Sequence, residues 1–358
     1  MSREKPVSRE KSPKIVRKRP TLGDVAKAAG VSSATVSRVL NTPQLVGLEA
    51  RRKIEEQIRL LGYVRDGAAR ALASSNTRVV GAIIPTLENA IFAAGINALE
   101  ARLDEAGYTL LLAVSKYDLE HEYSEIREIM EHGVDGLVLI GHEHLPESFT
   151  LLEQHDQLFI NIWSYSEDSV YPCVGIDNRS AAYDLASYLI SLGHKRIGMM
   201  AGFTAGNDRA AHRLEGFQMA MRDHQLVIDP DDVIERKYDI AQGRSGAAYF
   251  LDRPEIERPS AILCGNDVLA VGCMLECQAR GLKVPDDMSI TGFDNLTLAQ
   301  HLPPGITTVD IPSSELGRLA AEFILDSIKG KEPSMRTRIE TSLIIRGSTG
   351  SPRLTHTK

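Results

Sequence analysis

Apolar positions follow two different rhythms along the chain. In TLGDVAKAAGVSSATVSRVLN (residues 21–41), Leu22, Val25, Ala26 and Ala29 fall on one helical face, and Val36, Val39 and Leu40 repeat at helical spacing after them. That period predicts two short helices. Thr21 followed by Asp24 makes a capping box with Asp in place of Glu, Gly30-Val31-Ser32 makes the turn, and Ser32 caps the second helix. A third helix is predicted over EARRKIEEQIRLLG, with Ile54, Ile58 and Leu61 inward and Gly62 as its stop. From Arg78 the rhythm changes. VVGAII, TLLLAV, GLVLI, LFINI, CVGI, RIGMM and AILC are continuous apolar runs, interleaved with amphipathic stretches near 91–106, 119–132, 179–192, 209–224 and 267–280. Such alternation predicts parallel strands buried on both faces by helices.

The expected fold is therefore multi-domain, an all-α helix-turn-helix head followed by an α/β body. The boundaries read as a disordered basic arm (1–20), the head (21–64), a small-residue linker (65–76), the body (77–346) and a frayed C-terminus (347–358). The body has room for two α/β subdomains by usual domain sizes.

Charge sharpens this division. Residues 1–73 hold 16 Lys and Arg against 7 Asp and Glu, whereas residues 74–358 hold 25 against 41. A basic head on an acidic body predicts that the head meets a polyanion, although for the arm a solvated tail without a role remains an equal reading. The four cysteines are widely spaced and form no CxxC pair, which predicts free thiols in a reducing compartment. Met1 precedes a charged stretch, and no run of 18 apolar residues occurs. A cytoplasmic protein with neither signal peptide nor membrane span is expected.

Candidate chemistry is sparse. His142-Glu143-His144 offers too few ligands for a metal site. Cys273 and Cys277 share a helical face and read as small buried hydrophobes. GxSxG, the P-loop and a post-strand GxGxxG do not occur, and the acidic residues form no evident pair of catalytic carboxylates. No metal, cofactor or enzymatic activity is expected.

The segment containing DVA, AGVS and TVSRVLN resembles the DNA-binding module of the LacI family of bacterial repressors. The resemblance runs from about Thr21 to Arg346, through GHKRIG (193–198), Arg213 with GF (216–217), CGNDVLAVG (264–272), GLKVPDDMSITGFDN (281–295) and PGITTVDIP (304–312). ECQARGLKVPDDMSITGF looks closest to members that sense gluconate and related sugar acids. The resemblance implies a helix-turn-helix head, a hinge helix in the linker, and a type I periplasmic-binding-protein-like body of two subdomains. It implies a homodimeric repressor of palindromic double-stranded operator DNA, released by a small sugar or sugar-acid effector clamped between the subdomains. A transcriptional activator or a co-repressor-dependent regulator of the same family is the alternative. A sugar-binding protein or an enzyme on the same body is the reading outside it.

Residue roles follow from the resemblance. Ser33 and Ala34 fall where the family reads bases, and Arg38 faces a base edge or a phosphate, its fork suiting guanine O6 and N7. Ser32, Thr35, Ser37 and Asn41 suit phosphate contacts, with a local cap or plain surface as the competing reading for the serines. Leu72 aligns with the leucine that wedges into the minor groove. Arg65-Asp66-Gly67 departs from the family's usual Pro-Asn-Arg, placing an acid near phosphates and a glycine in a hinge helix, the latter costing about 1 kcal/mol. On the body, Arg213, Asp294, Asn266, Tyr238, Asn89, Phe92, Asn207 and Arg209 are expected around the effector, with Phe92 and Tyr238 readable equally as core aromatics. Two inward arginines would favour an acidic effector. Asp267 reads as a carboxylate at a helix N-terminus.

Overall fold

A computed structural model describes residues 19–64 and 76–353. The basic arm up to Lys18 and the linker segment 65–75, with Leu72 and the Arg65-Asp66-Gly67 departure, lie outside the described residues. The chain divides into two units, Met1–Thr77 and Arg78–Lys358.

In the first unit, α1 (Leu22–Ala29), α2 (Ser33–Asn41) and α3 (Leu48–Leu61) surround a small core of Val25, Ala26, Ala29, Val36, Val39 and Ile54. The capping box forms as the spacing predicts: Asp24 N–H donates to Thr21 Oγ1 at 3.3 Å, and Thr21 N–H donates to Asp24 Oδ2 at 2.8 Å. Gly30 takes a left-handed conformation (φ 68°) that ends α1, and Ser32 Oγ accepts the Thr35 amide at 3.1 Å to start α2. The chain therefore turns sharply between the first two helices within three residues.

The second unit has two lobes. The first lobe is built on a six-stranded sheet with order β11-β5-β4-β3-β1-β2, where β1 is Val79–Ile84, β2 Thr109–Val114, β3 Gly136–Ile140, β4 Phe159–Ser164, β5 Cys173–Ile176 and β11 Arg336–Arg338. Its pairings are parallel. The second lobe holds a parallel sheet with order β7-β6-β8-β9, from Val233–Glu235, Ile197–Ala201, Ala261–Cys264 and Ser289–Thr291. β10 (Thr308–Asp310) and β12 (Ser342–Ile344) form an antiparallel pair.

The period of two explains why these runs are apolar throughout. Val80, Ala82 and Ile84 of β1 face the layer of α4 (Ala90–Glu105) and α12 (Ser313–Ile328), while Ile83 faces that of α5 (Leu119–Glu131) and α6 (Pro146–Gln154). In the second lobe, Met199 and Ala201 of β6 pack with α7 (Asn178–Ser191) and α8 (Asp208–Asp223). Met200 between them packs with α9 (Ile240–Leu251) and α10 (Asp267–Ala279). A short helix, α11 (Thr297–His301), follows β9.

One expectation needs correction. Residues 347–353 are not frayed. Ser348 is fully buried: its Oγ accepts the Thr307 amide at 2.8 Å and donates to the Ile290 carbonyl at 2.5 Å, while the Ser348 carbonyl accepts the Ile290 amide at 2.9 Å. The polar composition of GSTGSPR is spent on hydrogen bonds to the second lobe, with Gly350 bonded to both His194 and Ser289.

Candidate functional site

Three helices of the second unit begin at the walls of one cleft between the lobes, and each starts with an asparagine. Asn89 Oδ1 accepts the Ile91 amide at 3.3 Å at the head of α4, Asn207 Oδ1 accepts the Ala210 amide at 3.5 Å at the head of α8, and Asn266 Oδ1 accepts the Leu269 amide at 3.0 Å at the head of α10. All three follow the carboxyl ends of sheet strands, where open α/β sheets bind ligands. A capping asparagine spends its oxygen on the helix and keeps its amide for another partner. The Asn207 amide donates to the Phe203 carbonyl at 3.3 Å, but the buried Asn266 amide has no partner. The three helix ends also bring partial positive charge to the cleft.

The cavity in the cleft measures about 20 Å³, room for about one water, and is partly open to solvent. Asn89, Phe92, Asn207, Arg209, Arg213, Tyr238, Asn266 and Asp294 all line it. Ile91, Tyr117 and Trp163 line it as well and were not anticipated. Tyr117 and Trp163 follow or end strands β2 and β4, so strand-end position was the available signal. Trp163, Tyr117 and Asp294 hold positive φ values of 72°, 59° and 110°. Such backbone strain persists where surrounding structure over-determines it.

Arg213, one turn and a half into α8, is fixed on several sides. Its Nε donates to Asn178 Oδ1 at 2.9 Å and its Nη1 to the Gly265 carbonyl at 2.7 Å. Its Cζ lies 3.9 Å from the centre of the Phe293 ring. Asp294 Oδ1 stands 3.5 Å from Nη1. Burial pushes the Asp294 carboxyl up to about 6, against the opposing pull of Arg213. Arg209 is countered too, because Asp208 Oδ1 accepts from its Nη1 at 2.8 Å. Burial works against the charge on Asp208, but Arg209, then Ser164 and His142, outweigh it and hold that carboxyl below the usual range. The excess positive charge expected from two inward arginines is therefore absent, since each guanidinium has an aspartate beside it. The rings form two pairs, Phe92 edge-on to Trp163 at 5.3 Å and Tyr117 tilted against Tyr238 at 6.4 Å. The Trp163 Nε1–H is buried without a partner.

Asp267 sits in the first turn of α10, as expected, and does more than face the helix dipole. It accepts the Thr308 hydroxyl and the Leu296 amide, both at 2.6 Å, and so ties the helix to the loop carrying Asp294. Burial, then the Asp294 charge, pushes its carboxyl up to about 7. His142-Glu143-His144 holds no metal-ligating cluster, and among the described residues no group of three or more such side chains occurs. No helix among the described residues is long and apolar enough to cross a membrane.

In the first unit, Ser32, Ser33, Ala34, Arg38 and Asn41 are exposed on α2 and its cap, and Thr35 and Ser37 are half-buried. Ser32 and Thr35 are engaged with each other, their hydroxyls 2.9 Å apart, and the Asn41 amide reaches Ser37 Oγ at 3.3 Å. Arg38 has no side-chain partner among the described residues.

Comparison with known proteins adds to this geometry. Residues 21–66 match the model of the bacterial regulatory proteins of the lacI family, and residues 186–349 match the periplasmic binding protein-like domain. The HTH-type transcriptional repressor CytR of Escherichia coli (strain K12) is 33% identical over 331 residues, covering 92% of this chain and 96% of that one. The HTH-type transcriptional repressor PurR of Aliivibrio fischeri (strain MJ11) is 31% identical over 330 residues, covering 92% and 98%. A crystal structure of a LacI-family transcriptional regulator from Silicibacter pomeroyi superposes with a TM-score of 0.84 at 28% identity, over 92% of this chain and 99% of that one.

Proposed function

The chain belongs to the LacI family of bacterial regulatory proteins, and from that premise we propose that it is a DNA-binding transcriptional repressor gated by a small ligand in the cleft between its lobes. The observation that carries the ligand reading is the buried, unpartnered Asn266 amide beside a fully positioned Arg213. An unpaired buried donor is costly, and a ligand oxygen relieves it. We read the cleft as a binding site that works without catalysis.

The balanced charge of the cleft favours a neutral polyhydroxylated ligand over a sugar acid. Asp294 accepts a ligand hydroxyl, Arg213 and Asn266 donate to ligand oxygens, and the rings cover its apolar faces. Binding changes the relative angle of the lobes, and the linker at 65–76 carries that change to the head as a shift in population. In this reading Arg38, Ser33 and Ala34 face bases in the major groove, and Ser32, Thr35, Ser37 and Asn41 contact phosphates. The protein acts in the cytoplasm as a homodimer on a palindromic operator, and the ligand is an inducer.

Two measurements test this. Binding of the full chain to duplex DNA should weaken steeply with salt, because released counterions drive phosphate contacts; a flat response sinks the DNA reading. A thermal-shift screen of sugars, sugar acids and nucleosides should find neutral ligands that raise the melting temperature by mass action. The shift should vanish in Arg213→Ala, and its persistence there would remove the cleft from the mechanism.

A further inference from the structure

The cleft walls do not account for all the contacts between the lobes. Asp208 in the first turn of α8 is buried, and its carboxylate reaches to the first lobe. Oδ2 accepts the His142 amide at 3.0 Å, while Oδ1 accepts from Arg209 Nη1 at 2.8 Å. The same Nη1 donates to the carbonyl of Ile140, the last residue of β3, at 3.1 Å. Alongside, Glu143 Oε1 accepts the Gly206 amide at 3.2 Å. A short run of the first lobe, Ile140 to Glu143, is thus gripped by a short run of the second, Gly206 to Arg209.

Two features fit the grip. Gly141 holds φ at 87°, and a Cβ there would collide with both Arg209 Nη1 and Asp208 Oδ1. The grip closes only because that side chain is missing. The loop is also anchored from behind. The His144 side chain is fully buried, with Nδ1 2.5 Å from Glu122 Oε1 and Nε2 3.1 Å from the Gly141 carbonyl. Both ring nitrogens lie within hydrogen-bond distance of oxygens, an arrangement that favours the protonated ring. Burial works against that charge, and the bond to Glu122 outweighs it. The first-lobe side of the contact is therefore rigid, and the second-lobe side is a helix N-terminus.

We propose that Asp208 and Arg209, closing on Gly141, form an interlobe clasp whose own bonds, with no contact through a ligand, hold the lobes together. Asp208 is then a positioning residue, acting on the cleft through the His142 backbone without lining it. The consequence for ligand affinity follows from the reading of the cleft given above. A ligand that needs closed lobes binds with an apparent affinity scaled by the closed fraction, so a clasp loosened until one molecule in ten is closed weakens binding about tenfold.

The test needs neither ligand nor DNA. Spin labels on cysteines introduced at Glu120 and Lys237, exposed on opposite lobes beside the cleft, report lobe separation in the full chain. The four native cysteines are buried and stay unlabelled. The parent should give one narrow, short distance distribution. Asp208→Asn, which removes the charge, and Gly141→Ala, which keeps every polar group and blocks the approach, should each shift or broaden it toward longer distances. Each variant is first checked for a cooperative melt, and Gly141→Ala carries the test alone if Asp208→Asn does not fold. A parent-like distribution in every variant that folds overturns the clasp. Longer distances in a protein whose DNA binding responds to no ligand would support the clasp while refuting the regulatory reading.

Discussion

The two candidate recognition surfaces are built on opposite principles. On α2, most of the groups expected to meet DNA are exposed, and Ser33, Ala34 and Arg38 lie at its surface. In the cleft, every candidate but the half-buried Tyr238 is buried, and both arginines already have partners: Arg213 has three polar neighbours and Arg209 has two. An exposed surface recognises by what it adds on contact, and its side chains cost little when changed. A buried, prepaired site recognises by replacing or completing existing bonds, so a change there is felt with no ligand present.

Arg213→Ala should show this most strongly. It strips Asn178 Oδ1 and the Gly265 carbonyl of their donor and leaves buried Asp294 with the Arg209 charge alone acting on it. Breaking a buried charged pair by removing one partner costs about 3–5 kcal/mol. Thermal unfolding of the unliganded protein should fall accordingly. Arg213→Lys should recover the charge but not the fork, and so recover only part of the stability. An Arg213→Ala variant that melts like the parent would mean that the prepairing carries no energy.

Asp294 tests the same contrast through pH. Its carboxyl binds a proton more tightly in the folded protein, at about 6, than at its ordinary 3.8. The stability this preference contributes is complete below pH 3.8 and is lost as the pH rises through 6. Asp267, pushed to about 7, extends the loss upward. The unliganded protein should therefore lose several kcal/mol over this range through these groups, about 3 of them through Asp294 alone. Asp294→Asn should flatten the slope twice over, by removing one titrating group and by relieving Asp267 of a neighbouring charge. Asparagine tolerates the positive φ at this position. A slope as steep as the parent's would show that the carboxyls titrate normally.

These residues also mark what could be read along the chain and what could not. VVGAII at 79–84 announces a buried strand because both of its faces meet apolar helix layers. Arg213, Asn266 and Asp294 were legible because they lie within continuous motifs. Tyr117 and Trp163 were not, because positive φ values in the loop after β2 and near the end of β4 aim them and no periodicity encodes that. Helix α12 was hidden by Gly317, which interrupts a good apolar face so that the helix can approach the Gly95 carbonyl of α4. The C-terminal GSTGSPR looked solvated because its polar groups reveal nothing about their partners until Ser348 is seen between β9 and Thr307. Charge balance was likewise invisible. The neighbours Asp208 and Arg209 could have pointed apart, and only the fold turns them toward each other.

On the exposed surface, Arg38→Ala should cost about 1–3 kcal/mol of DNA affinity if the guanidinium reads a base edge, measured by fluorescence anisotropy at fixed salt. The melting temperature should stay where it is, because Arg38 has no side-chain partner to lose among the described residues. A large drop in stability would place Arg38 among the structural residues and erase the contrast with Arg213.

Ser32 belongs to both categories, and it gives the smallest and sharpest effect. Its hydroxyl accepts the Thr35 amide at 3.1 Å, so it caps α2, and it is exposed at the helix N-terminus, so it can also donate to a phosphate. Ser32→Ala removes both roles and should cost the head about 1 kcal/mol through the cap alone. Ser32→Asp separates them, because aspartate caps as well as serine while its charge repels phosphate. With a phosphate contact present, Ser32→Asp should melt like the parent and bind DNA more weakly, and Ser32→Ala should lower the slope of log K against log salt by less than about 1, since a neutral donor displaces few counterions. With only a cap present, Ser32→Ala should weaken DNA binding no further than its loss of head stability explains. Ser32→Asp would then bind nearly as well as the parent at moderate salt, where screening limits the reach of one surface charge.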